Sequence, residues 1–295
     1  MKVANIIIAH RNPNQLLRLV SQYDSSQFHN FVHIDRRCNF KHYKAVAEHP
    51  NVTIIQPRER LVWAGYGFVK VTLEALRMIR ADGNYFYTNL ISGMDFPIRP
   101  TSEFYQYLLE HHRKGPVEFF EILGLDVWPG RHRFERFHLN NVTIKGRYFA
   151  ERWINKIFFP EGRKFWDGRL VPYGRSAFFT ASDKFVDYAL NYIDQNPDLI
   201  KFLKTTWSPD EFIFNTLVMN SPFRDKIHPH NLRYIDWSDG LVSPRTFREN
   251  DFDRLRQSGM FLARKFDETV DSAILDKLEK AIGGDVRLSA PAVIS

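Results

Sequence analysis

One cysteine, Cys38, stands in a chain of 295 residues, so no internal disulfide can form and nothing argues for an oxidising compartment. No apolar run approaches the roughly 18 residues of a membrane-spanning helix. The opening MKVANIIIAHRNPNQ has one basic residue and too short an apolar centre for a secretory signal. The expectation is a cytoplasmic protein. Neither a GxGxxG fingerprint nor a Walker-type loop occurs, which removes the two commonest backbone cradles for phosphate. The histidines lack the paired spacing of zinc sites. The sole Asp-x-Asp, Asp251-Phe252-Asp253, sits where it would cap a helix beginning near Phe252. No metal and no resident cofactor is therefore expected.

Aromatics and positive charge are plentiful. The chain has 26 Phe, 12 Tyr and 6 Trp, most of which a core of this size would absorb. Its net charge is +7, from 41 Lys and Arg against 34 Asp and Glu, a balance that favours an anionic partner. Ten cations against four acids fall between 131 and 169, so this stretch accounts for most of the surplus.

Hydrophobic patterning predicts strands at 3–10, 31–35, 51–56, 85–92 and 117–123, with helices at 13–23, 40–49, 67–81 and 101–112 between them. Such alternation indicates βαβ units and an α/β fold with a mostly parallel sheet flanked by helices. Ligands of such sheets bind outside the carboxyl ends of the strands. That rule singles out His10-Arg11, Asp35-Arg36-Arg37, the loop 59–67 and the stretch 92–97. Residues 126–170 show weak periodicity. A strand at 175–182 and helices at 183–195 and 209–219 follow. The expected organisation is one domain over 1–282, with a nucleotide-binding half (1–125) and an acceptor and catalytic half (126–282), then a frayed tail at 283–295.

Four stretches carry chemistry, each with a plainer reading beside it. In "SPDE", Ser208, Pro209 and Glu211 form a capping-box pattern, which makes a helix start of these residues. Equally, a carboxylate held at a helix start is a plausible base, and the positive helix end would keep Glu211 ionised. In "FLARKFD", Arg264 and Lys265 are a solvated pair or a diphosphate clamp between apolar neighbours. In "FVHIDRR", Asp35 and the following arginines are a surface turn or contacts to a ribose, base edge or phosphate. In "LVWAGYG", Trp63 offers a flat face before glycines that permit close approach.

Together, "VHIDRR", "WAGYGFVKVTLEAL", "YFYTNLISGMDFPIRP", "WSPDEFIFNTLVMNSPF", "RYIDWSDGLVSPRTF" and "FLARKFD" resemble, in order and spacing, the core-2/I-branching β-1,6-N-acetylglucosaminyltransferases and peptide O-xylosyltransferases. The resemblance runs from about residue 3 to 267. It implies a GT-A type, Rossmann-like fold and an inverting, metal-independent transfer from a UDP-sugar. It further implies Glu211 as general base, Arg264 and Lys265 as diphosphate ligands, Asp35 and Arg37 as uridine-side contacts, and Trp63 as a donor-pocket residue. Asp95 of "SGMDFP" matches a family block whose role it does not assign. His10, at the ligand edge by topology, is counted with the substrate-binding group. Animal members carry a membrane anchor and several disulfides, whereas this chain resembles a bacterial cytoplasmic member. The expected substrates are a UDP-sugar donor (xylose or N-acetylglucosamine) and a glycan or lipid-linked acceptor in surface polysaccharide synthesis. The basic 126–170 segment would serve peripheral contact with an anionic membrane. The competing expectation is a nucleic-acid-binding module built on that segment, with steep salt dependence.

Overall fold

A computed structural model describes residues 1–142, 145–240 and 243–284. The frayed tail expected at 283–295 lies, from 285 on, outside the described residues. The chain packs as two compact units, each built from separate segments: Met1–Arg58, Asn84–Pro116 and Leu232 onward in one, Glu59–Gly83 and Val117–Asn231 in the other.

The first unit is organised by four parallel strands in the order β3-β2-β1-β4, namely β1 (Lys2–Ala9), β2 (Phe28–Ile34), β3 (Val52–Ile54) and β4 (Tyr85–Ser92). β1 is buried from Val3 to Ala9, as its near-continuous apolar sequence requires of a central parallel strand. Its one polar interruption pins the register. Asn5 lies opposite Asn30 and Asn89, donating to the Asn30 Oδ1 at 2.9 Å and accepting from the Asn89 Nδ2 at 2.8 Å. Asn30 continues the chain to the Asn51 carbonyl at 3.1 Å, and Arg233 donates into its other end at Asn89. A one-residue slip would leave buried amides unpaired, at about 1–3 kcal/mol each.

Helix Pro13–Ser21 follows β1, with Pro13 at its first position. The helix expected at 40–49 is instead a 3₁₀ turn, Phe40–Tyr43, and one turn of α-helix, Lys44–Ala47. A second, three-stranded sheet in the same unit has the order β5-β10-β9, from β5 (Asp95–Pro97), β9 (Arg233–Ile235) and β10 (Leu262–Arg264). Helix Phe252–Gln257 begins where its sequence predicts, but no side chain caps it: Asp251 instead accepts from the Arg248 amide at 2.9 Å, closing the 3₁₀ turn Glu249–Asp251 before it.

In the second unit β6 (Glu118–Gly124) pairs antiparallel with β7 (Tyr173–Ser182) and parallel with β8 (Ile227–His228). Phe120 and Phe179 stack across the first pair with centroids 5.0 Å apart. Helices Gly67–Asp82, Arg147–Phe158, Asp183–Gln195, Pro197–Leu203 and Ile213–Met219 complete this unit. Gly83 ends the first of them at φ 76°, a left-handed conformation in which its amide reaches the Ile79 carbonyl. Among the described residues no helix is long and apolar enough to cross a membrane.

Candidate active site

In the first unit the parallel strands β1, β2 and β4 all end at one edge. The Asp35 amide donates to the Ala9 carbonyl at 2.8 Å, and the Gly93 amide to the Ile8 carbonyl at 3.0 Å. Their carboxyl ends therefore deliver His10-Arg11, Asp35-Arg37 and Gly93-Asp95 side by side. Gln15 then ties the 266 segment to that edge. Its Nε2 donates to the carbonyls of Gly93 (3.0 Å) and Phe266 (3.1 Å), and the Phe266 amide donates to the Met94 carbonyl at 2.8 Å. This brings Arg264 and Lys265 to the ends of β1 and β4. Five predicted site residues (His10, Asp35, Arg37, Arg264 and Lys265) thus converge with Asp95 on one edge of the unit.

The charges there are individually anchored. Asp35 is 1% exposed and receives Arg37 in a fork, Nε at 3.0 Å and Nη2 at 2.8 Å, plus the Arg37 amide at 2.8 Å. Arg11, which the resemblance did not single out, pairs with Asp267 at 3.3 Å and lays its guanidinium on the Met94 sulfur. Asn12 holds the other side of Asp267 at 2.8 Å. The Lys265 ammonium donates to the Ser243 hydroxyl at 2.9 Å. Asp95 is completely buried and stands opposite Arg264 in the antiparallel β5-β10 register. Its Oδ2 accepts from the Ser92 amide at 2.8 Å and from the Ser92 hydroxyl, while no hydrogen-bond partner reaches its Oδ1 among the described residues. The charge of Asp95 acts instead on Arg264 and on buried Arg233. Asp95 therefore lies where its charge favours the ionised form of both arginines, a placement its sequence block did not disclose.

Five cations (Arg11, Arg37, Arg233, Arg264 and Lys265) stand with three carboxylates (Asp35, Asp95 and Asp267), and burial is the first cause lowering Lys265, His10, Arg264 and Arg233. Burial, then Arg11 and Arg264, lower Lys265 below its ordinary range against the opposing Asp267. Partial withdrawal from water and then Arg11 hold His10 below 6.5, against the pull of Asp35. Burial lowers Arg264 as well, and takes Arg233 down to about 10. An anion arriving here would favour the charged forms of His10 and Lys265.

In the second unit the loop carrying Trp63 joins the segment that carries Glu211. The Ser208 amide donates to the Ala64 carbonyl at 2.8 Å, and Trp63, 71% exposed, meets Trp207 edge-on with centroids 5.1 Å apart. The capping-box expectation fails here. Ser208 adopts φ 46°, its side chain caps nothing, and Pro209–Glu211 form a 3₁₀ turn ahead of the helix that starts at Ile213. Glu211 is fixed otherwise, by its amide on the Ser208 carbonyl (3.1 Å) and by Asn215 on its own carbonyl (3.0 Å).

The expected lowering of the Glu211 pKa is overturned too. Burial raises it, and the charges of Arg133 and Arg175 only partly restore the ionised form. The α-helix begins only at Ile213, so Glu211 precedes its first turn, and burial outweighs the helix end. The Arg133 Nη2 lies 2.9 Å from the Glu211 Oε2, whose side chain keeps 32% exposure. Asp210 beside it is pushed up to about 7, by burial first and by Glu211 second. Arg133 escaped the sequence reading because a basic run gives no sign of which member will meet a distant carboxylate.

Asp251, half of the Asp-x-Asp pair, faces Arg245 at 3.2 Å and Arg254 at 3.0 Å, and both arginines also reach Asp236. Among the described residues no three His, Cys, Asp or Glu side chains gather as a metal-binding group.

Comparison with known proteins places this architecture. The chain is similar to Xylosyltransferase 1 of Mus musculus, 23% identical over 327 residues that cover 100% of this chain and 32% of that protein. It is similar to Xylosyltransferase 2 of Canis lupus familiaris, 25% identical over 325 residues, covering 99% and 35%. The chain thus spans about a third of the length of these curated relatives. Among solved structures, S. aureus TarS 1–349 aligns with a TM-score of 0.36 and 12% identity over 65% of this chain and 50% of that one, a likeness too partial to carry an argument. The profile of the Core-2/I-Branching enzyme family matches residues 3–257, and the chain belongs to that family.

Proposed function

We propose that the chain is a GT-A type glycosyltransferase that moves a sugar from a UDP-sugar to an acceptor hydroxyl with inversion, forming a β-linkage. The observation that carries this reading is the convergence of Arg11, Arg37, Arg264 and Lys265 at the carboxyl edge of a parallel sheet. In the reaction, the acceptor oxygen attacks the anomeric carbon and its proton passes to Glu211. The bond from that carbon to the diphosphate oxygen breaks, and UDP leaves with the electron pair. Asp35 and Arg37 face the uridine side, with His10 beside them at the same strand edge. Arg264, opposite Asp95, and Lys265, beside Ser243, meet the growing charge of the diphosphate, an electrostatic task otherwise given to a divalent ion. Trp63 offers its exposed face to a sugar ring.

The names of the curated relatives support xylose as donor sugar, with N-acetylglucosamine as the alternative. The acceptor in this reading is a glycan or lipid-linked glycan of a bacterial surface polysaccharide. A panel of UDP-sugars, scored by thermal shift and by UDP release with EDTA present, tests the proposal. Stabilisation and turnover by UDP-xylose or UDP-N-acetylglucosamine support it. Failure of every UDP-sugar to stabilise the protein, or turnover that EDTA abolishes and Mn²⁺ restores, refutes it.

A further inference from the structure

Helix Arg147–Phe158 is amphipathic the wrong way round for a helix that packs on its own protein. Its inward face is held by two polar side chains, beside the half-buried Ala150 and Ile154. Glu151 is buried and accepts from the Leu139 amide at 2.9 Å, and Asn155 exchanges hydrogen bonds with the Phe137 amide (2.7 Å) and carbonyl (2.8 Å). Its outward face is apolar. Phe149, Trp153 and Ile157, spaced four residues apart and so on one stripe, are 68%, 47% and 59% exposed. Phe149 and Trp153 meet edge-on at 5.9 Å, which makes the stripe continuous. Arg152 and Lys156 are exposed beside the stripe, with the Lys156 ammonium 5.8 Å from the Trp153 ring. A water-facing row of large apolar side chains with cations along its margin marks a docking surface.

We propose that this face inserts at the surface of an anionic lipid bilayer, the apolar stripe entering among the acyl chains and the cations meeting lipid phosphates. Three observations select that occupant. The stripe and its bordering charges have the composition of an interfacial helix, with aromatic rings at the depth where headgroups begin. On the helix itself Arg147, Arg152 and Lys156 stand against one acid, the buried Glu151, so a second copy of this face would bring like charge against like. Ile157 and the 70%-exposed Phe158 add apolar bulk that a phosphodiester groove has no use for. The inference goes beyond the proposed transfer reaction and stands independently of it.

The test is co-sedimentation of the full chain with vesicles of phosphatidylcholine alone and of phosphatidylcholine mixed with phosphatidylglycerol. The wild type should pellet with the mixed vesicles, far less with phosphatidylcholine, and less as salt rises. Phe149→Ser with Trp153→Ser and Ile157→Ser should weaken that binding at least about tenfold at unchanged melting temperature. Arg152→Gln with Lys156→Gln should flatten the salt dependence. A blue shift of tryptophan emission on adding mixed vesicles should vanish in Trp153→Phe, which reports insertion at this helix directly. Equal vesicle binding by the triple variant, or none by the wild type, overturns the proposal. So does salt-sensitive binding to a DNA or RNA oligonucleotide without vesicle binding, or a dimer that the triple variant dissolves.

Discussion

Replacing Asp95 by Asn removes one charge and almost no volume, so no cavity contributes to the result. The amide can still accept from Ser92 through its oxygen, but its NH₂ then takes the buried place of Oδ1, and the charge that favours ionised Arg233 and Arg264 is gone. Arg233 is 6% exposed and Arg264 stands directly opposite in the β5-β10 register. Removing one partner of a buried ion pair costs roughly 3–5 kcal/mol, because the remaining charge stays buried and uncompensated. That is a large share of the roughly 5–15 kcal/mol of a typical folded domain. Urea unfolding followed by circular dichroism should show a loss of about 3–5 kcal/mol, and a melting temperature lower by on the order of 10 °C. A loss below about 1 kcal/mol would mean that the charge of Asp95 does not compensate the two arginines.

The remaining predictions concern the anion edge and the Glu211 carboxylate. Lys265→Ala should raise the Kd for UDP about 10–100-fold by calorimetry, the worth of one hydrogen bond to a charged group, with little change in stability. His10 is held below 6.5 when the edge is empty of anions, and a bound diphosphate would raise it. The wild type should therefore take up more protons on binding UDP near pH 6 than His10→Asn does, read from titrations in buffers of different ionisation enthalpy. Equal uptake would remove His10 from the site. Arg133→Met takes away the largest charge that favours ionised Glu211, so the acid limb of the kcat/KM profile should move to higher pH. An unmoved limb would show that the 2.9 Å contact does not tune the base.

Much of the first unit was legible because β1 and β4 are long apolar runs with helix starts behind them. The topological rule for parallel sheets then named His10, Asp35 and Asp95 before any chemistry was considered. The three-stranded β5-β10-β9 sheet was not legible: each strand has three residues, and its pairing of Asp95 with Arg264 joins positions far apart in the chain. Helix Arg147–Phe158 escaped for a different reason. Its apolar stripe points outward, and the inward side is held by Glu151 and Asn155, so its pattern matches no buried helix. "SPDE" misled because a capping box presumes extended backbone at the cap, and Ser208 is left-handed with its amide spent on Ala64. The pairing of Arg133 with Glu211 is a tertiary fact that no local pattern encodes.

The claim that most needs a direct answer is that Glu211 removes the acceptor proton while UDP binds elsewhere on the molecule's own cations. Glu211→Gln keeps the shape of the side chain and abolishes its basicity. With the UDP-sugar that best stabilises the wild type, the variant should bind UDP with an unchanged Kd and lose about 10²–10⁴-fold in kcat for transfer to the acceptor. Transfer by Glu211→Gln at the wild-type rate would contradict the account.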